Sequence, residues 1–118
     1  MHIDFPNSIE LLTHASENKR YQRLIAQLEK DFVLANVSID LGLGMRPEDL
    51  KATLQEKIYQ LIMERFNEYL NLLYVIDVPE RFFKEIQVTD VVEVADQVSF
   101  LILKRELQKV YLKEKFSA

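Results

Sequence analysis

Apolar residues from Tyr21 to Ala35 recur at steps of three and four: Tyr21, Leu24, Ile25, Leu28, Phe32 and Ala35, with Arg20, Arg23, Gln27, Lys30 and Asp31 off that stripe. This is the period with which a helix presents one face to a core, so the pattern predicts an amphipathic helix beginning after Asn18. Ahead of it, Asn7-Ser8-Ile9-Glu10 reads as a variant capping box, with Asn7 accepting from first-turn amides and Glu10 reaching back. A short helix to about Ala15 follows from that signal. Between Asn36 and Arg46 the period changes: Val37, Ile39, Leu41 and Leu43 alternate, and both glycines of the chain, Gly42 and Gly44, fall there. Alternation with glycines predicts an extended, partly buried connection.

Pro47 suits the first position of a helix, where its missing N–H costs nothing, and Glu48 and Asp49 complement the positive helix end. Leu50, Leu54, Ile58, Leu61, Ile62, Tyr69, Leu73 and Ile76 then trace the stripe of one long helix. Phe66, Leu70, Leu72, Tyr74 and Val75 widen its last three turns until most sides are apolar. A helix apolar all round has to be covered on several sides. Residues 66–76 are therefore expected either in the middle of the core or on a surface that another subunit covers. Val78-Pro79 ends the helix, since the residue before proline avoids the α region, and residues 79–86 restart a short one.

The last segment admits two readings. Val88, Val91, Val92, Val94 and Val98 are β-branched and fit a hairpin turning at Ala95-Asp96-Gln97. That turn has no Gly or Asn, whereas Thr89 offers a cap and Val91, Val94, Val98, Leu101 and Ile102 keep helical spacing through to Leu107 and Val110. One helix from about Asp90 to Lys115 is favoured. The chain is thus expected to be all-α: a single domain over residues 1–118, an antiparallel bundle of four to five helices with one extended loop around 36–46. The alternative is an α+β fold with a C-terminal hairpin at 88–104.

Composition narrows the chemistry. The 118 residues suit one domain, and 48% hydrophobic with 29% charged residues suits a packed globular chain. With no cysteine there is no disulfide, no thiolate nucleophile and no cysteine-held metal. The N-terminal MHIDFPNS lacks the basic and apolar regions of a secretory signal. The run Tyr69 to Ile76 is far shorter than the ~20 residues that span a bilayer. The cytoplasm is the expected compartment. A net charge of −4 disfavours nucleic acid as a partner. The charge is uneven, however. From residue 104 onward five cations face two carboxylates, a net of +3, so the remainder of the chain is −7. Lys109, Lys113 and Lys115 in this basic tail are candidates for contact with an acidic partner, although cations at a helix C-terminus also simply complement its carbonyls.

No reactive constellation competes with packing as the explanation of these residues. The only histidines are His2 and His14, which excludes a three-histidine metal site within one chain, and Glu10 and His14 stand four apart where a di-iron bundle uses three. Gly42-Leu43-Gly44 before the Pro47 helix is a poor phosphate loop, because Pro47 removes an amide and Glu48 and Asp49 place negative charge at the anion position. No serine stands in a nucleophile elbow, and the carboxylate pairs Glu64/Glu68 and Glu93/Asp96 have the spacing of a charged outer helix face. A helix-turn-helix reading of the second helix fails on its linker, about eleven residues where the motif takes three or four. The sequence therefore points to no catalytic residue, no metal ligand and no cofactor.

What remains is excess apolar surface. A domain of this size buries about two-thirds of its unfolded surface, so some large apolar residues are left at the boundary, where contiguous patches mark partner contacts. Phe66, Tyr69, Leu70, Leu72, Tyr74, Phe82 and Phe83, with Leu41 and Leu43 from the loop, are the candidate interaction surface of a non-catalytic module, its partner another protein or a second copy. The rival expectation is a helical ligand carrier or enzyme with a pocket between helices, drawing on the hydroxyls of Tyr59, Tyr69 or Tyr74 and the carboxylates of Glu93 or Asp96.

Overall fold

Asn7 starts the first helix: its side-chain oxygen accepts the Glu10 N–H at 2.9 Å, and α1 runs Ser8–Glu17. The structure, a computed structural model, describes residues 4–42 and 44–116. Among them α1 is followed by α2 (Tyr21–Leu34), α3 (Pro47–Glu64), α4 (Phe66–Ile76), a short 3₁₀ helix (Glu80–Glu85) and α5 (Val91–Phe116), with no strand. The all-α reading holds and the hairpin alternative does not: Ala95-Asp96-Gln97, its proposed turn, lies inside α5. The cap of α5 is Asp90, whose Oδ1 accepts the Glu93 N–H at 2.9 Å, rather than the Thr89 expected from sequence.

All six positions of the α2 stripe, from Tyr21 to Ala35, are buried. They meet Leu11, Leu12 and Ala15 of α1, Leu50, Leu54, Ile58 and Leu61 of α3, and Tyr69, Leu72 and Ile76 of α4 in one core. Through its middle passes α5, contributing Ala95, Val98, Ile102, Leu103 and Leu107. The described residues of the 36–46 connection form neither helix nor strand, as expected, with Val37 buried and Ile39, Leu41 and Met45 packed against the core from its edge. Tyr21 anchors it, donating its hydroxyl to the Met45 carbonyl at 2.6 Å.

The expected single helix from Pro47 to Ile76 is two helices, interrupted at Arg65 (φ −142°, ψ 60°), which ends α3 and caps α4. There is no proline or glycine to break it. The reason is that a continuous helix would place Arg65 on the buried stripe, four residues after Leu61 and four before Tyr69. The break turns the guanidinium to solvent, where it meets Glu68 at 3.0 Å. An unbroken helix of this length would also run about 45 Å at 1.5 Å per residue, longer than the 41 Å longest dimension of the molecule.

Three helices close in the same way. Arg20 N–H reaches Ala15 O after α1, Val37 N–H reaches Phe32 O after α2, and Val78 N–H reaches Leu73 O after α4, each the six-to-one bond of a Schellman motif. The residues in the left-handed position are Lys19 (φ 60°), Asn36 (φ 58°) and Asp77 (φ 66°), whereas neither glycine has a positive φ. Lys19 carries the largest side chain of the three in that conformation and receives no compensation from a short polar side chain. We therefore expect Lys19→Gly to raise the unfolding free energy by roughly 0.5 to 1 kcal/mol, the relief at φ > 0 less the extra unfolded-state entropy of glycine. Urea denaturation of the two proteins checks it; equal or lower stability in the variant contradicts the assignment.

Candidate functional site

The 66–76 segment that sequence could place only as core or covered surface is both. On α4, Tyr69, Leu72 and Ile76 point into the core. Phe66, Leu70 and Tyr74, spaced by four, form the opposite stripe and are 53%, 48% and 83% exposed. Asn67 and Asn71 are the other exposed positions of this helix, and its one charged residue, Glu68, lies beside the stripe, paired with Arg65 at 3.0 Å. Met63 at the end of α3 and Val33 and Leu34 at the end of α2 are also exposed. The end of α2 is held beside α4 by the Asn71 amide, which donates to the Ala35 carbonyl at 3.2 Å.

A second candidate lies along the seam of α2 and α5, which run antiparallel. Their pairs proceed in opposite directions: Arg20 with Glu114 at 2.8 Å, Gln27 with Lys113 at 2.6 Å, and Asp31 with Lys109 at 2.7 Å. At the inner end the seam closes over charge. Glu106 is 0% exposed and Asp31 4%, and the Lys109 ammonium stands between them, 3.2 Å from Glu106 Oε1. Gln27, also buried, donates to Asp31 Oδ2 at 3.2 Å. Burial, and then the adjoining Asp31 carboxylate, push the Glu106 carboxyl up to about 9, with Lys109 opposing. Burial acts to raise Asp31 as well, but its contacts with Glu106, Lys109 and Gln27 outweigh this and hold it below the ordinary aspartate value. Near neutral pH the cluster is thus a neutral Glu106 beside one carboxylate and one ammonium, which avoids burying two negative charges together.

At its outer end the seam opens into a cleft of about 670 Å³. Arg20, just before α2, Arg23, Gln27 and Lys30 of α2 and Lys113 of α5 line it, with Glu114 as the only acidic residue of the lining and Ala26 and Val110 on its apolar wall. Arg20 lies over the Tyr111 ring at 4.7 Å, and Glu114 accepts from both arginines. Loss of hydration, and then the neighbouring Lys30 charge, hold Lys113 below the ordinary lysine value.

The remaining predicted residues spread over the molecule. Tyr69 and Leu72 are core residues and Leu41 and Phe83 pack against the core from its edge, so none of them joins the exposed α4 stripe. Phe82 is half-buried between the Lys104 ammonium at 4.5 Å and the Arg81 guanidinium at 5.3 Å, beside a second hollow of about 480 Å³. Leu43 lies outside the described residues. Of the basic tail, Lys109 is taken into the buried cluster, Lys113 faces the cleft, and Lys115 stands apart over Phe116 at 5.8 Å. The groups suggested for a rival pocket do not converge: Tyr59 lines a shallow groove with Val92, Asp96 faces Lys51 at 3.8 Å, and Tyr74 stands in solvent. His14 is engaged by Asn18 and by the Phe5 ring. No group of three or more His, Asp or Glu side chains is placed to hold a metal, and no helix is long and apolar enough to cross a membrane, both among the described residues.

Sequence reasoning missed Asp31, Gln27 and Glu106. The signal existed: Glu106 falls four residues after Ile102 and four before Val110, in the middle of an apolar stripe. Comparison with known proteins adds no relative, since no family model, no curated protein and no solved structure matches the chain.

The cluster sets a pH dependence of stability. The folded protein keeps the Glu106 proton up to about pH 9, whereas the unfolded chain releases it near 4.5. The native state therefore binds the extra proton between these values, and stability falls as pH rises through the window. Asp31, with its lowered value, contributes in the other sense and loses its contribution only in acid. Glu106→Gln removes the titrating proton, so from pH 5 to pH 8 the variant should lose less stability than the parent, by about 4 kcal/mol. Parallel profiles for the two proteins in denaturant titrations would contradict the protonated assignment.

Proposed function

We propose that this chain is a non-catalytic interaction module that works in the cytoplasm and pairs with a second copy of itself through the solvent face of α4. The observation that carries this reading is the uncharged stripe Phe66, Leu70 and Tyr74 on a protein in which 29% of residues are charged. Contiguous exposed apolar surface of this kind is uncommon on monomers and favours association. The choice of a second copy rests on symmetry and charge. A two-fold axis through Leu70 brings Phe66 of one protomer against Tyr74 of the other at both ends, an isologous contact in which each patch meets itself. Two molecules of net charge −4 repel, and the face of α4 is where two copies approach without bringing like charges together.

One short helix face falls below the roughly 800 Å² per partner of a standard interface. A weak dimer follows, with Kd of roughly 1 to 100 μM. Two histidines, no thiol and no converging polar groups on α4 give this face nothing with which to do chemistry. In sedimentation velocity over a wide concentration range the chain should pass from 13.9 kDa to twice that mass. Leu70→Glu should stay at the monomer mass throughout, with an unchanged helical circular dichroism spectrum. A parent protein that remains monomeric up to several hundred micromolar defeats the proposal.

A further inference from the structure

The cleft at the outer end of the α2–α5 seam is independent of the α4 face, and its charge is anomalous. Arg20, Arg23, Lys30 and Lys113 gather around about 670 Å³ with only Glu114 to oppose them, a local excess of three positive charges on a chain whose net charge is −4. Like charges held together raise the energy of the free protein, and an anion seated among them lowers it. Loss of hydration first, and then the Lys30 ammonium, hold Lys113 below the ordinary lysine value.

The cations are also arranged rather than scattered. Glu114 takes the Arg20 Nε–H at 2.8 Å and one N–H of Arg23, and the other guanidinium donors of both arginines have no hydrogen-bond partner among the described residues. The Arg20 guanidinium also lies over the Tyr111 ring, 4.7 Å from its centroid. Guanidinium forks match the oxygens of phosphate groups, and the ammonium groups of Lys30 and of Lys113, the latter held by Gln27 Oε1 at 2.6 Å, supply the remaining charge. The volume lies in the range of small-molecule sites. From this geometry we infer that the cleft binds a small anion carrying two or more linked phosphate groups, with Arg20 and Arg23 orienting it, Lys30 and Lys113 supplying further positive charge from the cleft wall, and Glu114 acting as a positioning residue for the arginines. One phosphate group would leave much of the excess charge unmatched; a diphosphate or triphosphate matches it.

Titration calorimetry with inorganic phosphate, pyrophosphate and tripolyphosphate, at matched ionic strength, tests this directly. Affinity should rise at least tenfold from phosphate to tripolyphosphate, with one equivalent bound per chain. Lys30→Ala should weaken tripolyphosphate binding about tenfold while leaving the thermal midpoint of the free protein unchanged or higher, because it relieves repulsion. A merely structural Lys30 would lower that midpoint. Lys115→Ala, at the end of α5 near Lys113 but outside the cleft, should bind as the parent does. The inference is overturned by absence of binding, by equal effects of the Lys30 and Lys115 variants, which would mean diffuse attraction to a basic tail, or by citrate binding as tightly as tripolyphosphate, which would mean no phosphate selectivity.

Discussion

All the other helices pack against α5, so the burial of that helix is the interaction on which the bundle depends. Ala95, Val98, Ile102, Leu103 and Leu107 stand on more than one of its sides, and each neighbouring helix covers a different part of this surface. A helix wrapped in this way cannot keep a separate polar face for its whole length, and its strong helix formers let it remain regular over 26 residues. Where its polar positions meet a covering helix they must be neutralised or paired. This is the origin of the Asp31–Lys109–Glu106 cluster, where α2 lies over α5.

Such a cluster contributes little net stability compared with apolar packing of the same volume, because desolvation of the charged groups offsets most of their attraction. Its effect is on register. Sliding α2 along α5 by one turn would separate Asp31 from Lys109 and leave an ionised side chain buried without a partner, which costs several kcal/mol. The pairs Gln27–Lys113 and Arg20–Glu114 repeat the same alignment toward solvent. A seam fixed at its buried end therefore opens at its other end with its cations already in position, and the cleft is a consequence of the register rather than a separate construction.

The break at Arg65 has a comparable consequence on the other side of the molecule. By ending α3 there, the chain keeps Tyr69, Leu72 and Ile76 in the same core as Leu50, Leu54 and Ile58 without burying a guanidinium. The resulting α4 lies over α2, α3 and α5, on the outside of the bundle. Its inner stripe is consumed by the core, while its outer stripe has no layer above it within one chain. An outer helix that is apolar on both faces thus carries packing and surface on residues three or four apart.

Local pattern determined the helices of this protein, because amphipathic period, Asn7 capping and the prolines at 47 and 79 act within a few residues along the chain. The α2 stripe was legible to its last position, and so was the loop before Pro47. Which apolar residues of α4 face water was not legible, since Phe66 and Tyr69 are equally apolar and only the packing of other helices separates them. The break at Arg65 carries no local breaker; it arises because a charge falls on a stripe that the core requires. The basic cleft joins Arg20, Arg23 and Lys30 to Lys113 across more than eighty residues, and the buried cluster joins Asp31 to Glu106 and Lys109 across more than seventy. Tertiary structure alone decided these, because charge and burial depend on which surfaces meet, and that is set by the antiparallel docking of α2 on α5 rather than by either helix separately.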